Sequence, residues 1–165
     1  MLREKVSDDD LERAWLARFG APLYGESLVR GEPAPRAEEV FRSALDLARR
    51  DASVARALPV ALWRQRARLD FDELVRLARA HGVERTLGFF LELTARLAGG
   101  DQRLLALADS LRPRLPSQAV DFFPTRGRLE RAAAEENTPP VARDWGYRMN
   151  LGMDSFASMF EKATR

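Results

Sequence analysis

The strongest constraint on the fold is the stretch 69–100, which predicts two helices joined by a tight turn. Its first helix has a clear start signal, because Asp70 can accept a backbone N–H as N-cap and Glu73 can reach back to that cap. Gly82 stands where a left-handed residue ends a helix. The second helix carries large apolar residues on more than one side, so we expect several neighbours to bury it at the centre of the core. These residues are Leu87, Phe89, Phe90, Leu91, Leu93 and Leu97.

Helical patterns cover most of the chain on either side of this stretch. The segment 52–68 is also apolar at helical spacing, but Pro59 cannot donate to the preceding turn, so we predict a break or kink there. The segment 21–35 is rich in glycine and proline and predicts a surface connector, which Leu23 and Tyr24 could anchor. Further helices are predicted within 1–20, 35–50, 102–111 and 153–163.

The pattern changes after residue 118. Short alternating aromatic runs at 119–123 and 145–150 predict a small two-stranded element. The residues between them, 124–144, have no sustained apolar periodicity and predict a long loop. At 165 residues the chain fits one domain. We therefore predict a mainly α fold, a single-domain helical bundle over 1–165 with a small two-stranded β element near the C-terminus.

The composition argues against several classes of function. The absence of cysteine excludes disulfides and thiolate metal sites and favours a cytoplasmic protein. No apolar run approaches the ~20 residues that span a bilayer, so we expect no membrane association. His81 is the only histidine, and its place before Gly82 suits a helix C-terminus. No catalytic triad, histidine-rich zinc site or glycine-rich phosphate motif can be assembled, so we expect no cofactor and lean against an enzyme.

The C-terminal helix is a candidate surface for binding a partner protein. It combines methionines, which adapt to irregular partners, with phenylalanines at helical spacing. The same stripe could instead close the chain's own core. The candidate partner-binding residues are Met149, Met153, Phe156, Met159 and Phe160.

An arginine-rich segment offers an alternative function, nucleic-acid binding through phosphate contacts. Of 27 basic residues only Lys5 and Lys162 are lysines, yet the net charge is only +2, so no global field steers the chain to nucleic acid. A solvated face with ion pairs to the acidic N-terminal helix is the favoured explanation of these arginines. The candidate nucleic-acid-binding residues are Arg49, Arg50, Arg56, Arg64, Arg66 and Arg68. An enzyme without a recognisable motif is the second alternative, because sites of arginine and carboxylate leave little trace in a sequence.

About half of the chain resembles a known family. The run Leu87, Gly88, Phe89, Phe90, Leu91 and Glu92, followed later by Trp145 and Asn150, is similar to the C-terminal domain of AbiEi-type antitoxins. The resemblance implies a non-catalytic regulatory protein that pairs with a nucleotidyltransferase-like toxin and represses its own operon. It also implies an N-terminal winged helix, whereas residues 1–68 show no wing-like strand pair. Protein binding is therefore favoured over DNA binding.

Overall fold

The computed structural model describes residues 6–114 and 118–165, and this part of the chain is mainly helical. The predicted fold class, a mainly α chain with a small two-stranded β element near the C-terminus, is confirmed. A 3-10 helix, Glu26–Val29, lies within the predicted connector. The other elements are α1 (Asp8–Arg18), α2 (Ala37–Ala48), α3 (Ala52–Gln65), α4 (Phe71–Ala80), α5 (Glu84–Leu97), α6 (Gln102–Ser110), β1 (Val120–Asp121), α7 (Arg128–Asn137), α8 (Pro140–Asp144), β2 (Tyr147–Arg148) and α9 (Met153–Thr164).

The start of α4 shows how the predicted cap is made. Asp70 accepts a hydrogen bond from the Glu73 backbone N–H at 3.1 Å, as predicted. The reciprocal bond comes from elsewhere, because the Asp70 N–H donates to the buried side chain of Glu38 at 2.9 Å. Glu73 instead pairs with Arg76 at 2.7 Å. The cap therefore ties α4 to the first turn of α2 and fixes the position of the central helix pair.

Helix α5 is the centre of the core, as the sequence predicts. It packs against α3, α4, α6, α8 and α9. Every residue from Thr86 to Ala95 is buried. The rings of Phe89 and Phe90 meet Phe122 edge-on, with centroids 5.6 and 5.9 Å apart. These ring contacts join the segment around β1 to α5 at the centre of the core.

Helix α3 runs unbroken through Pro59, so the predicted break is wrong. Proline removes one backbone donor from the helix. Two features outweigh that loss: the Asp51 side chain caps the helix, and the residues from Ala57 to Leu62 are all buried. Packing on both sides of Pro59 thus holds the helix together.

The predicted long loop over 124–144 is also wrong, since α7 and α8 occupy most of it. The Arg126 N–H donates to Glu130 at 2.6 Å across the start of α7. Proline stands at the start of α8, where its missing N–H costs nothing. Only Ala134 of α7 is buried, so the sequence of this helix shows no apolar stripe that would predict it.

Strands β1 and β2 pair in parallel, with Val120 opposite Tyr147. Arg49, just after α2, holds the pair through hydrogen bonds to the carbonyls of Asp121 and Phe122. No helix in the described part of the chain is long and apolar enough to span a bilayer.

Candidate functional site

The predicted partner-binding stripe lies mostly in the chain's own core. Met149, Phe156 and Phe160 are buried, and the ring of Phe160 packs 6.3 Å from that of Trp63 on α3. Met153 and Met159 are half-buried. In this conformation a partner can reach only the last two, so the predicted surface is corrected accordingly. The same helical spacing produces a docking stripe or a core stripe, and the sequence cannot separate them.

Three of the six predicted arginines are engaged in holding the fold. Arg49 donates to Phe122 O at 2.6 Å and stacks over the Tyr147 ring at 5.0 Å. Arg64 donates to Gly20 O at 2.7 Å and to Ala163 O at 2.6 Å. Arg66 lies 3.7 Å from the centre of the Trp63 ring. Each of these three guanidinium groups thus bonds or stacks on a different segment of the chain.

The other three arginines differ from one another in their partners. Arg50 pairs with Asp9 of α1 at 2.8 Å, the ion pair with the acidic N-terminal helix that the sequence offers as an alternative. Within residues 6–114 and 118–165, the side chains of Arg56 and Arg68 make no hydrogen bond or ion pair. Arg68 is exposed, whereas Arg56 is half-buried.

One place in the structure joins the two predicted residue sets. Arg56 of α3 and Met159 of α9 line a cleft of about 590 Å³, which we call the α3–α9 cleft. The Arg56 Nε atom is buried and has no hydrogen-bond partner. The other lining residues are Pro22, Asp154, Ser155, Ser158, Lys162 and Ala163. The cleft therefore combines two cations and two hydroxyls with an apolar part.

A second hollow, of about 410 Å³, is lined in part by residues of the connector. Pro22 lines the cleft, and the next residue, Leu23, lines the hollow; on α3, Arg56 lines the cleft and Ser53, three residues earlier, lines the hollow. The wall of the second hollow includes Arg13 and Asp51, which form an ion pair.

Two apolar residues beside this hollow face solvent. Leu23 packs against the core, as the prediction of an anchor requires. Tyr24 does not, because its side chain is 100% exposed, and Leu28 is 46% exposed. We call Leu23, Tyr24 and Leu28 the connector surface. The sequence did not predict this surface, because an aromatic residue in a glycine-rich connector is expected to pack against the core and anchor the connector.

Three of the residues that carry the family resemblance, Gly88, Glu92 and Trp145, meet around a buried carboxylate. Glu92 accepts hydrogen bonds from Arg96 and Arg112, both at 2.7 Å, and from the Trp145 indole N–H at 2.6 Å. Burial raises the pKa of Glu92, but the hydrogen bonds from Arg96 and Trp145 and the charge of Arg112 outweigh it, so that the pKa lies below its usual value. Gly88, one turn earlier, lies against the Trp145 ring. This cluster is fully satisfied and leaves no acceptor for a ligand, so its role is to hold α8 and α6 on α5.

Two other titratable side chains, Glu12 and His81, lie elsewhere in the structure. Glu12 is half-buried between α1 and α2, and burial raises its pKa against the opposing charge of Arg50. His81 is exposed at the end of α4. Across the described ranges, no group of three or more histidine, aspartate or glutamate side chains is placed to hold a metal ion.

Comparison of the chain with protein families, with curated proteins and with solved structures found no match.

Proposed function

We propose that this chain is a non-enzymatic interaction protein that binds a partner protein through the connector surface. The observation that carries the proposal is Tyr24, a full-sized aromatic side chain that is 100% exposed next to the exposed Leu28. Tyrosine is enriched at protein interfaces and among the residues that dominate binding energy. An exposed Tyr24 ring adds nothing to the stability of the fold, so contact with a partner is the better explanation of its position.

The connector surface is held in place before any partner arrives. Val29, next to Leu28, is buried at 1% exposure. The Arg18 guanidinium donates to the carbonyls of Val29 and Glu32 at 3.2 and 3.0 Å. Gly25 takes the left-handed conformation that turns the chain between Tyr24 and the 3-10 helix. A pre-ordered surface loses less conformational entropy on binding, which supports its use for recognition.

The hollow beside Tyr24 supports the same proposal. It is lined by the paired Arg13 and Asp51 and by Asp10, so its rim is polar while its connector side is apolar. An apolar centre with a polar rim is the usual anatomy of a protein interface. A partner side chain could enter the hollow while the Tyr24 ring packs on the partner.

A regulatory, antitoxin-like role in the cytoplasm is the finer part of the proposal. It is supported by the resemblance to AbiEi-type antitoxins and by the absence of cysteine, and it implies a nucleotidyltransferase-like toxin as the partner. Gly88, Glu92 and Trp145, which carry the resemblance, act together in one structural cluster. That cluster organises the fold, whereas the connector surface makes the contact.

The test is an affinity purification from the native host with nuclease treatment, using the wild type and a Tyr24→Ser/Leu28→Ser variant. Both side chains are exposed, so we expect the double variant to fold normally. Leu129→Ser is the matched control, because Leu129 is 88% exposed on α7. We expect one stoichiometric protein with the wild type and the control, and at least about tenfold less with the double variant, the loss expected of an interface hot spot.

Equal recovery of that protein by all three forms would contradict the connector surface as the contact. Recovery only of material that nuclease removes would favour the alternative, nucleic-acid binding. In that case Arg56 and Arg68, which have no partner in the described chain, would be the first residues to replace.

A further inference from the structure

We propose that the α3–α9 cleft binds a small organic anion, a carboxylate or phosphate ester that carries an apolar group. The proposal does not depend on the partner protein, because the cleft is lined by a different set of residues from the connector surface. Its volume of about 590 Å³ lies within the range of ligand pockets, roughly 300–1,000 Å³.

Arg56 provides the main argument. Its Nε atom is buried without a hydrogen-bond partner, and its guanidinium makes no ion pair inside the described ranges. A buried donor without a partner is costly, and such donors are rare in folded proteins. Other partly buried arginines of this chain do find oxygen acceptors, for example Arg49 on Phe122 O and Arg112 on Glu92. An anionic ligand would supply the acceptor that Arg56 lacks.

Helix α9 adds a second cation and two hydroxyls to the same cleft. Ser155 and Ser158 are followed by Lys162, and all three lie on the side of α9 that faces Arg56. No ion pair forms on Lys162 within the described residues. Arginine forks and lysine ammonium groups are the standard protein ligands of carboxylates and phosphates. The cleft therefore offers two charged donors and two neutral ones.

The remaining lining residues define the rest of the ligand. Pro22, Met159 and Ala163 provide an apolar wall, which favours a ligand with an apolar group. Asp154 also lines the cleft, eight residues before Lys162 and thus about 12 Å away along the helix axis. Its charge repels the anionic group and directs it toward Lys162. Two cations against one carboxylate leave the cleft with a net positive charge.

The test is an NMR titration of the full chain, following the Arg56 Nε–H signal and the Met159 methyl signal. The probes are phenyl phosphate, hexanoate, inorganic phosphate and the neutral benzyl alcohol. We expect saturable shifts of both signals with phenyl phosphate or hexanoate, weaker binding of inorganic phosphate and no binding of benzyl alcohol. The order of phenyl phosphate and hexanoate distinguishes a phosphate site from a carboxylate site. Absent shifts, or equal binding of benzyl alcohol, would overturn the proposal.

Two variants test the residues. Arg56→Gln removes the charged donor, and Ser158→Asp places a negative charge at an exposed position of the cleft. We expect each to weaken binding about tenfold or more, the loss of a charge-assisted hydrogen bond. Arg79→Gln, at an exposed position on α4, should leave binding unchanged. Thermal unfolding by circular dichroism checks that each variant is folded, and unchanged affinity in both cleft variants would overturn the assignment.

Discussion

At Gly88 the core leaves no room for a side chain. A Cβ atom added there would lie 2.2 Å from the Trp145 ring. Glycine inside a helix ordinarily costs about 0.5–1 kcal/mol relative to alanine, yet here it allows the indole to pack against bare helix backbone. Trp145 can reach the Glu92 carboxylate only because it lies this close to α5.

We therefore predict that Gly88→Ala destabilises the chain, opposite to the usual effect of alanine in a helix. Displacing the indole should lower the free energy of unfolding by about 1–3 kcal/mol. The measurement is urea denaturation of Gly88→Ala, Trp145→Leu and the double variant. With the ring removed, Gly88→Ala should become neutral or stabilising. The same loss in both backgrounds would show that the indole is not the cause.

Glu92 makes the stability of the chain depend on pH in a predictable direction. Its pKa in the folded state is below the usual 4.5. The stabilisation is therefore complete above pH 4.5 and is lost as the pH falls through the lowered value.

Glu92→Gln should lower the free energy of unfolding at pH 7 by about 1–3 kcal/mol, because two arginines lose their charged acceptor. The difference from wild type should shrink as the pH drops below 4.5, which urea denaturation at several pH values would measure. Glu73→Gln is the control, since Glu73 also accepts two hydrogen bonds from an arginine but on the surface. We expect its effect to be small. A loss in Glu92→Gln that does not vary with pH would contradict the charge-based explanation.

At the scale of elements, α9 is held to the rest of the chain at both ends of its apolar face. Phe156 and Phe160 are buried against the core. At the C-terminal end Arg64 bridges Ala163 O to Gly20 O, so one side chain joins α3, α9 and the end of α1. Both hydrogen bonds of Arg64 are exposed to solvent, so we expect them to stabilise the end of α9 rather than the whole fold.

We predict that Arg64→Ala loosens the last turn of α9 without unfolding the chain. Hydrogen exchange of the amides near residue 163 should become about three- to tenfold faster, because a charged hydrogen bond to a helix carbonyl is lost. Arg68→Ala is the matched control, because Arg68 is exposed just after α3 and its side chain bonds no described residue. Equal exchange rates in the two variants would mean that the apolar anchors alone hold α9.

The sequence predicts these elements unevenly. The helix cap at Asp70 can be predicted from the sequence because a capping carboxylate needs only the backbone N–H groups next to it. Helices α7 and α8 cannot be predicted in this way. Because α7 buries only Ala134, its sequence shows no apolar residues at helical spacing. The stability of α3 across Pro59 depends on packing by distant residues, which no local pattern reveals.

At the scale of the whole molecule, the sequence identifies the core but not the surfaces. Burial of α5 follows from its apolar circumference. Predicting that Arg49 bonds to the β pair requires knowledge of which segments meet in the fold. The same is true of predicting that Arg56 and Met159 line one cleft. Composition alone could not show that three of the six predicted arginines bond to carbonyls and rings of their own chain. Functional candidates therefore changed more between sequence and structure than the fold did.

The tether between Arg49 and the β pair also suggests an order in which the chain folds. Arg49 bonds to carbonyls 72 and 73 residues further along the chain, whereas the contacts of α1 with α2, α2 with α3 and α5 with α6 join neighbours in sequence. Closing the longer loop costs more chain entropy. The contacts of Arg49 can offset that cost only after both the helices and the β pair have formed. The helical layer from α1 to α6 can thus form first, and the segment from β1 to α9 docks on it later. We expect the docking of Phe122, Trp145 and Tyr147 onto α5 to be the slower step of refolding.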